Sequence, residues 1–368
     1  MPAIIGFICG SRAWGGLEMN HLNHCLWMKN NDFEVLMLCR KDSPIAKESE
    51  ATGIKTIYIT DHRRYKYIGA SFALKKILAT ESITHLVARN PNDLNICGIA
   101  KRLLKKKIHL SYFMEMQLGV SKKNFLHTAR FRQINSWVCS LPYLKKQVLE
   151  LTRFPENKIR VIPSALNLLK IDQKTNKKNA RQNLQLPQDK FILGLLGRID
   201  SLKGQHTLIE ALYLLDNSAF AICLMGEPTR NESNDYYRSI LKMIKDYHLE
   251  KNVFILSFDQ KVNDFFQAID VSIMASKSET FGMVSIESLA YGKPVIGSKS
   301  GGTPEIISND KLGLLFETEN PRDLADKINY LYLNQAQFET ENLKSASQQY
   351  DQDIIYNCIL KEVFNLSK

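Results

Sequence analysis

Glu279 and Glu287 flank a polar turn, Ser276-Lys277-Ser278-Glu279-Thr280-Phe281-Gly282-Met283. A carboxylate holds phosphate poorly but holds sugar hydroxyls well, because it accepts short, charge-assisted hydrogen bonds from O–H donors. Upstream, Arg198 and Lys203 follow the apolar run 191–196. The guanidinium offers a planar fork of donors and the ammonium a point charge, and together they can neutralise a diphosphate. These residue types suit a nucleotide sugar, with cations and backbone amides for the diphosphate and two acids for two sets of hydroxyls. The plainer alternative is a strand–turn–helix whose acids merely favour a helix N-terminus.

The chemistry needs elements to position it. Residues 270–275 form a short, β-prone apolar run, and a helical pattern over 284–291 is stopped by Gly292 and Pro294. Strand, tight turn and helix leave free N–H groups at the helix start, where the helix dipole favours an anion. The same device recurs at the beginning. Ile4–Cys9 reads as a strand, Gly10, Gly15 and Gly16 punctuate the following loop, and a helix runs to about Asn30. The loop lacks the order GxGxxG, so no dinucleotide fingerprint is present. Further strands are expected over 33–39, 54–59, 84–88, 109–113, 136–141 and 160–162, and then over 191–196, 219–225, 252–257, 271–274, 294–298 and 313–316. Helical patterns at 70–79, 94–104, 207–215 and 324–333 alternate with them, and a long terminal one covers 350–364. This rhythm predicts an α/β chain with parallel sheets. The polar, lysine-rich stretch 166–188 reads as a linker between a domain over 1–165 and a second over 189–345, with 346–368 as a terminal helical segment.

At 368 residues, with 44% hydrophobic and 24% charged residues, the composition is that of a globular protein of two domains. No apolar run is long enough to cross a bilayer as a helix, and the first residues read as a strand and not as a signal peptide. Seven scattered cysteines show no metal spacing and read as reduced thiols of a cytosolic protein. The net charge of +11 is uneven. Residues 1–165 hold 26 Lys and Arg against 12 Asp and Glu, and the remainder 23 against 26. Basic clusters at Lys101–Lys107 and His62–Tyr67 lie in the first half. They are solvated helix ends or a surface for an anionic partner. Nucleic acid is disfavoured, since few aromatic stacking platforms accompany the cations.

The ordered set resembles the retaining glycosyltransferases of the GT-B fold, family four. It comprises Ile162-Pro163-Ser164-Ala165-Leu166-Asn167, Gly197-Arg198 with Lys203-Gly204, Glu279 with Phe281-Gly282 and Glu287, Gly292-Lys293-Pro294-Val295-Ile296, and Gly301-Gly302 with Pro304-Glu305-Ile306. The resemblance is clearest over about 162–315 and weaker over 3–30. It implies two Rossmann-like domains facing across a cleft, the terminal helix crossing back to the first. By position it assigns Arg198 and Lys203 to the donor diphosphate, with Glu279 as the third catalytic residue touching the transferred hexose. Glu287 would take the ribose hydroxyls. Phe281, Gly282, Met283 and Val284 would meet sugar and phosphate, Gly15 and Gly16 would approach the diphosphate, and Glu305 would steady the loop beneath the nucleotide. The acceptor side departs from the family, which often carries a histidine where this chain reads Tyr112-Phe113-Met114-Glu115-Met116-Gln117. Glu115, Gln117 or His127 are the candidates there.

The resemblance further implies a metal-independent hexosyltransferase without a cofactor. Its donor would be a UDP-sugar, with GDP-mannose as the alternative. Its acceptor would be a glycolipid, lipopolysaccharide or other surface polysaccharide, reached by a cytoplasmic protein resting on the inner face of the membrane. Asp351-Gln352-Asp353 spells the metal motif of a different glycosyltransferase fold, and its place in the terminal helical segment marks it as surface acid. The competing readings are a soluble transferase for a small acceptor and a non-catalytic binder of nucleotide sugars or anionic polymers.

Overall fold

A computed structural model describes residues 3–61, 67–104, 106–171, 175–215, 218–228, 234–258 and 261–367, and among the described residues thirteen parallel strands form two sheets. The basic run at 62–66, Lys105 and residues 259–260 lie outside the described residues. The strands are β1 Ile4–Cys9, β2 Glu34–Cys39, β3 Lys55–Tyr58, β4 His85–Ala88, β5 His109–Met114, β6 Ser136–Cys139 and β7 Ile159–Val161, then β8 Phe191–Leu196, β9 Phe220–Met225, β10 Val253–Leu256, β11 Val271–Met274, β12 Val295–Ser298 and β13 Gly313–Phe316. The first seven form one sheet, ordered β3-β2-β1-β4-β5-β6-β7, and the rest a second, ordered β10-β9-β8-β11-β12-β13. Each is the doubly wound arrangement, reversing beside its first strand. The crevice outside the carboxyl ends at that reversal is where such sheets take ligands.

The central strands read as unbroken apolar runs because helices cover both faces. Every residue of β8 and of β9 is buried. The first sheet separates two cores. One holds Leu74, Cys97, Phe131 and Trp137 under the helices that follow β3, β4 and β5. The other holds Phe7, Cys25, Met28 and Ile45 together with Ile355, Tyr356 and Phe364 from the end of the chain.

The chain divides into two units, Met1–Ala165 with Gln352–Lys368, and Leu166–Asp351. The stretch 166–188, expected as a linker, is instead built into the second unit. Its helix Lys177–Asn183 buries Ala180 in that unit's core. Arg181 is buried too, donating to the carbonyls of Ala268, Gln188 and Lys190 and to the Asp270 carboxylate. The run looks linker-like because its buried apolar residues are few and irregularly spaced, Leu184 and Leu186 joining Ala180 in the core, and a salt-bridged arginine shares the anchoring. The end of the chain is a helix over Gln352–Ile359 continued by a wider turn over Leu360–Phe364. Asp353 is not simply a solvated acid, as its carboxylate accepts the indole N–H of the buried Trp27. All seven cysteines are free. No helix among the described residues is long and apolar enough to cross a membrane.

Candidate active site

The second unit places the sequence-flagged residues on two loops flanking the reversal of its sheet. Arg198 and Lys203 follow β8, and Ser276 through Gly282 follow its neighbour β11. Lys203 Nζ donates to Glu279 Oε2 at 2.8 Å, and the Ser276 hydroxyl donates to the same oxygen at 3.2 Å. Both ionic side chains are largely shielded, Lys203 with 26% and Glu279 with 16% of its side chain exposed. A partly desolvated pair is worth more than a surface pair, and it holds both groups in one place. Arg198 differs. Its side chain is 66% exposed and stands 3.7 Å from Asp200, while its backbone carbonyl accepts from Gln205 at 2.8 Å.

Two glycines hold the Glu279 loop. Gly282 starts the helix Met283–Ala290 at φ +85°, a conformation in which a side chain is strained, and no side chain caps that helix. The N-terminal amides of the helix are thus left to face whatever sits beyond them. Gly301, at φ +57°, lies so close that a Cβ would stand 2.0 Å from the carbonyl oxygen of Glu279. The next amide, Gly302 N–H, donates to that carbonyl at 2.9 Å. Deeper in, the Ser298 hydroxyl donates to the Ser276 carbonyl at 2.6 Å. The Gly301-Gly302 pair after β12 therefore fixes the backbone of the acid. Glu305 lies just beyond, in the helix Thr303–Ile306. Phe281 is buried, with its ring edge-on to Tyr350 at 5.9 Å. Met283, Val284 and Glu287 are half-buried on the helix. Burial pushes the Glu287 carboxyl up to about 7. An acid with that value changes charge near neutrality and gains from hydroxyl donors that stabilise its ionised form.

The first unit has its own concavity at the carboxyl edge of its sheet, lined by Asn20, Arg89, Phe113, Glu115, Ser140 and Tyr356 among others. Arg89 directly follows β4 and Glu115 directly follows β5, and the two form a shielded ion pair. Asn20 donates to the other Glu115 oxygen at 3.3 Å. The Arg89 guanidinium also lies 4.7 Å over the Phe113 ring and 3.2 Å from His24 Nδ1, while His24 stacks on Tyr356. Burial first, and the Arg89 charge second, hold His21 and His24 well below their ordinary pKa, so both are neutral. Of the three acceptor-side candidates, Glu115 lines this concavity. Gln117 instead bonds Gln147, and His127 stacks on Phe131 within the helix Phe125–Phe131. The structure does not bring the three together. The Gly15 amide is already taken by the Glu18 carboxylate at 3.0 Å, a local cap of the helix Gly16–Asn30. Asp93 reaches back to bond the Gly10 amide at 2.9 Å and shapes the same loop. Arg89 escapes sequence reasoning, since its partner Glu115 lies 26 residues away. No cluster of three or more metal-binding side chains occurs among the described residues.

Comparison with known proteins agrees with this geometry. The family model described as Glycosyl transferases group 1 matches residues 176–350, nearly all of the second unit. A D-inositol 3-phosphate glycosyltransferase of Corynebacterium urealyticum is 28% identical over 159 residues, 42% of this chain and 37% of that protein. The alignments with the first such relatives span less than half of those proteins' own length. Among solved structures, Anabaena HepE in complex with UDP and glucose superposes with a TM-score of 0.86 at 20% identity, covering 100% of both chains. The apo lipopolysaccharide outer core galactosyltransferase WaaB superposes at 0.78 and 13% identity, covering 98% of this chain and 99% of that one. With a reversing sheet in each unit, the chain has the two-sheet GT-B fold of these solved glycosyltransferases, and its second unit, which carries the Lys203 and Glu279 loops, matches the group 1 glycosyl transferases over residues 176–350.

Proposed function

We propose that the protein moves a hexose from a nucleoside-diphosphate sugar to a glycolipid, lipopolysaccharide or other surface-polysaccharide acceptor, with retention of anomeric configuration and without a metal. The observation that carries this reading is the shielded Lys203–Glu279 pair beside the uncapped start of the helix Met283–Ala290. The leaving group is a diphosphate, so the demand on the protein is to stabilise charge growing on phosphate oxygens. A fixed ammonium and oriented amides meet that demand in a partly dry site. Arg198 can turn onto the diphosphate, since its side chain is exposed and, among the described residues, is held only by a loose ion pair with Asp200. Glu279, already held by Ser276 and Lys203, would accept hydroxyls of the hexose, and Glu287 those of the ribose. The leaving phosphate would itself take the proton of the acceptor on the same face of the sugar, so no protein nucleophile is required.

A UDP-sugar is the preferred donor, supported by HepE, which was solved with UDP and glucose. GDP-mannose is the alternative. The lipopolysaccharide transferase among the structural relatives favours a large acceptor, and the basic first domain favours a protein resting on the inner face of an anionic membrane. A second reading, a soluble transferase for a small polyol phosphate, draws on the inositol-phosphate transferases. A mere binder would not need Lys203 and Glu279 fixed against each other. A thermal-shift panel of nucleotide sugars in EDTA, followed by NMR of the anomeric proton of the product, tests the proposal. Donor-dependent stabilisation and a retained configuration support it. An inverted product, or no response to any nucleotide sugar, overturns it.

A further inference from the structure

Beside the donor loops of the second unit lies a chain of polar side chains that the transferase reading leaves without a role. Gln205, the first residue of the helix Gln205–Leu214, is fully buried, yet its side chain is a carboxamide. Its Nε2 donates to the Arg198 carbonyl at 2.8 Å. Its Oε1 lies 3.2 Å from the hydroxyl of Tyr236, in the first turn of the helix Asp235–Asp246. The same hydroxyl is 2.8 Å from His206 Nδ1 and 3.2 Å from the His206 amide. A buried carboxamide engaged at both ends is rigidly held, since leaving either end unpaired costs more than a single such bond contributes.

Counting protons fixes the direction of each bond in this chain. A carbonyl only accepts, so the nitrogen end of Gln205 faces Arg198 and the oxygen end faces Tyr236. That oxygen needs a donor, and the phenol gives it its single proton. The phenol oxygen then accepts from the His206 amide and from Nδ1, so His206 carries a proton on Nδ1. Burial, foremost, lowers the pKa of this imidazole, so the ring is neutral at pH 7 and Nδ1–H is its tautomer.

The chain of bonds ends on one peptide group. The Arg198 carbonyl takes the Gln205 amide, and the N–H of the same peptide, that of Ile199, donates to the Glu227 carbonyl at 2.9 Å. Both polar groups of that peptide are therefore gripped, one from the helix after β8 and the other from the segment after β9. Lys203 is aimed by its own ion pair with Glu279, whereas the exposed Arg198 side chain has, among the described residues, only its loose pair with Asp200. The aim of Arg198 is thus set by the backbone it grows from. We infer that Gln205, Tyr236 and His206 are positioning residues, which fix the peptide after Arg198 so that the guanidinium meets the diphosphate of the donor, through a relay that requires the Nδ1–H form of His206. This rests on the donor-site reading proposed above.

The test combines calorimetric titration of UDP and UMP into the full chain with nitrogen-15 NMR of histidine-labelled protein. Tyr236→Phe keeps the ring and removes the hydroxyl. It should lower UDP affinity about fivefold to tenfold and leave UMP affinity unchanged, because the relay serves the diphosphate. In an Arg198→Ala background the same change should add less than about a twofold loss, since the group it positions is gone. His206→Asn, whose side-chain N–H replaces that of Nδ1, should bind UDP within about twofold of wild type, and His206→Leu should match Tyr236→Phe. In the ligand-free wild type the His206 resonances, assigned by their loss in His206→Asn, should show the proton on Nδ1. Wild-type UDP affinity in Tyr236→Phe, an equal loss for UMP, equal losses with and without Arg198, or a proton on Nε2 overturns the inference, and UDP binding by the wild type then leaves the donor site standing. A wild type that binds no UDP removes the donor site itself and the inference with it.

Discussion

Replacing Glu287 with Gln should stabilise the ligand-free protein above neutral pH while removing nucleotide affinity. Burial raises the Glu287 carboxyl from an ordinary 4.5 to about 7. Between those values the folded chain keeps a proton that the unfolded chain has released, so stability falls as pH rises through that window. At roughly 1.4 kcal/mol per tenfold change in acidity, the penalty is at most about 3 kcal/mol once the group is ionised above pH 7, and smaller to the extent that solvent reaches this half-buried carboxyl. Glutamine keeps the shape and never ionises. The variant should therefore unfold at the wild-type temperature near pH 5. At pH 8 its melting temperature should be higher by up to about 10 °C, taking about 3 °C per kcal/mol for a domain of this size. Differential scanning calorimetry across that range, following the transition that UDP shifts, reads this directly. The same scans with UDP should show the wild type gaining stability and the variant gaining much less, because an amide cannot make two charge-assisted bonds to ribose hydroxyls. A constant difference between the proteins at pH 5 and pH 8, or a variant less stable at both, would refute the reasoning.

Other outcomes follow from the geometry. Gly301→Ala puts a Cβ 2.0 Å from the Glu279 carbonyl at φ +57°, so the loop must move. Donor affinity by calorimetry should fall at least tenfold, about 1.4 kcal/mol, while Gly69→Ala, in open space on an exposed helix, should leave it unchanged. Arg89→Met leaves the Glu115 carboxylate shielded without its partner and should destabilise the first unit by about 3–5 kcal/mol in urea unfolding. Adding Glu115→Leu to that variant should recover most of the loss.

How much could be read from the chain depended on whether a residue's partner lies near it in sequence. The strand Ile4–Cys9, the apolar runs of β8 and β11 and the stops at Gly292 and Pro294 are local signals, and the structure follows them to within a residue or two. The Glu279 and Gly301-Gly302 segments were legible as motifs, but the reason they travel together, a carbonyl gripped by a glycine backbone, is a contact across two strand ends. Arg89 gave no signal. It reads as one basic residue after a short strand until β5 brings Glu115 beside it. The linker reading of 166–188 failed for a related reason. Arg181 helps anchor its helix through backbone carbonyls and Asp270, bonds of which hydrophobic periodicity carries no trace, and the buried Leu184 and Leu186 are too sparse to set a period.

The central claim is that the loops after β8 and β11 grip a nucleoside diphosphate through Lys203. Its most direct test is calorimetric titration of UDP, in EDTA, into the wild type and Lys203→Ala. The account predicts saturable binding by the wild type and a loss of at least thirtyfold in the variant, about 2 kcal/mol of a charge-assisted contact. Equal affinities in the two proteins, or no binding without added metal, would contradict it.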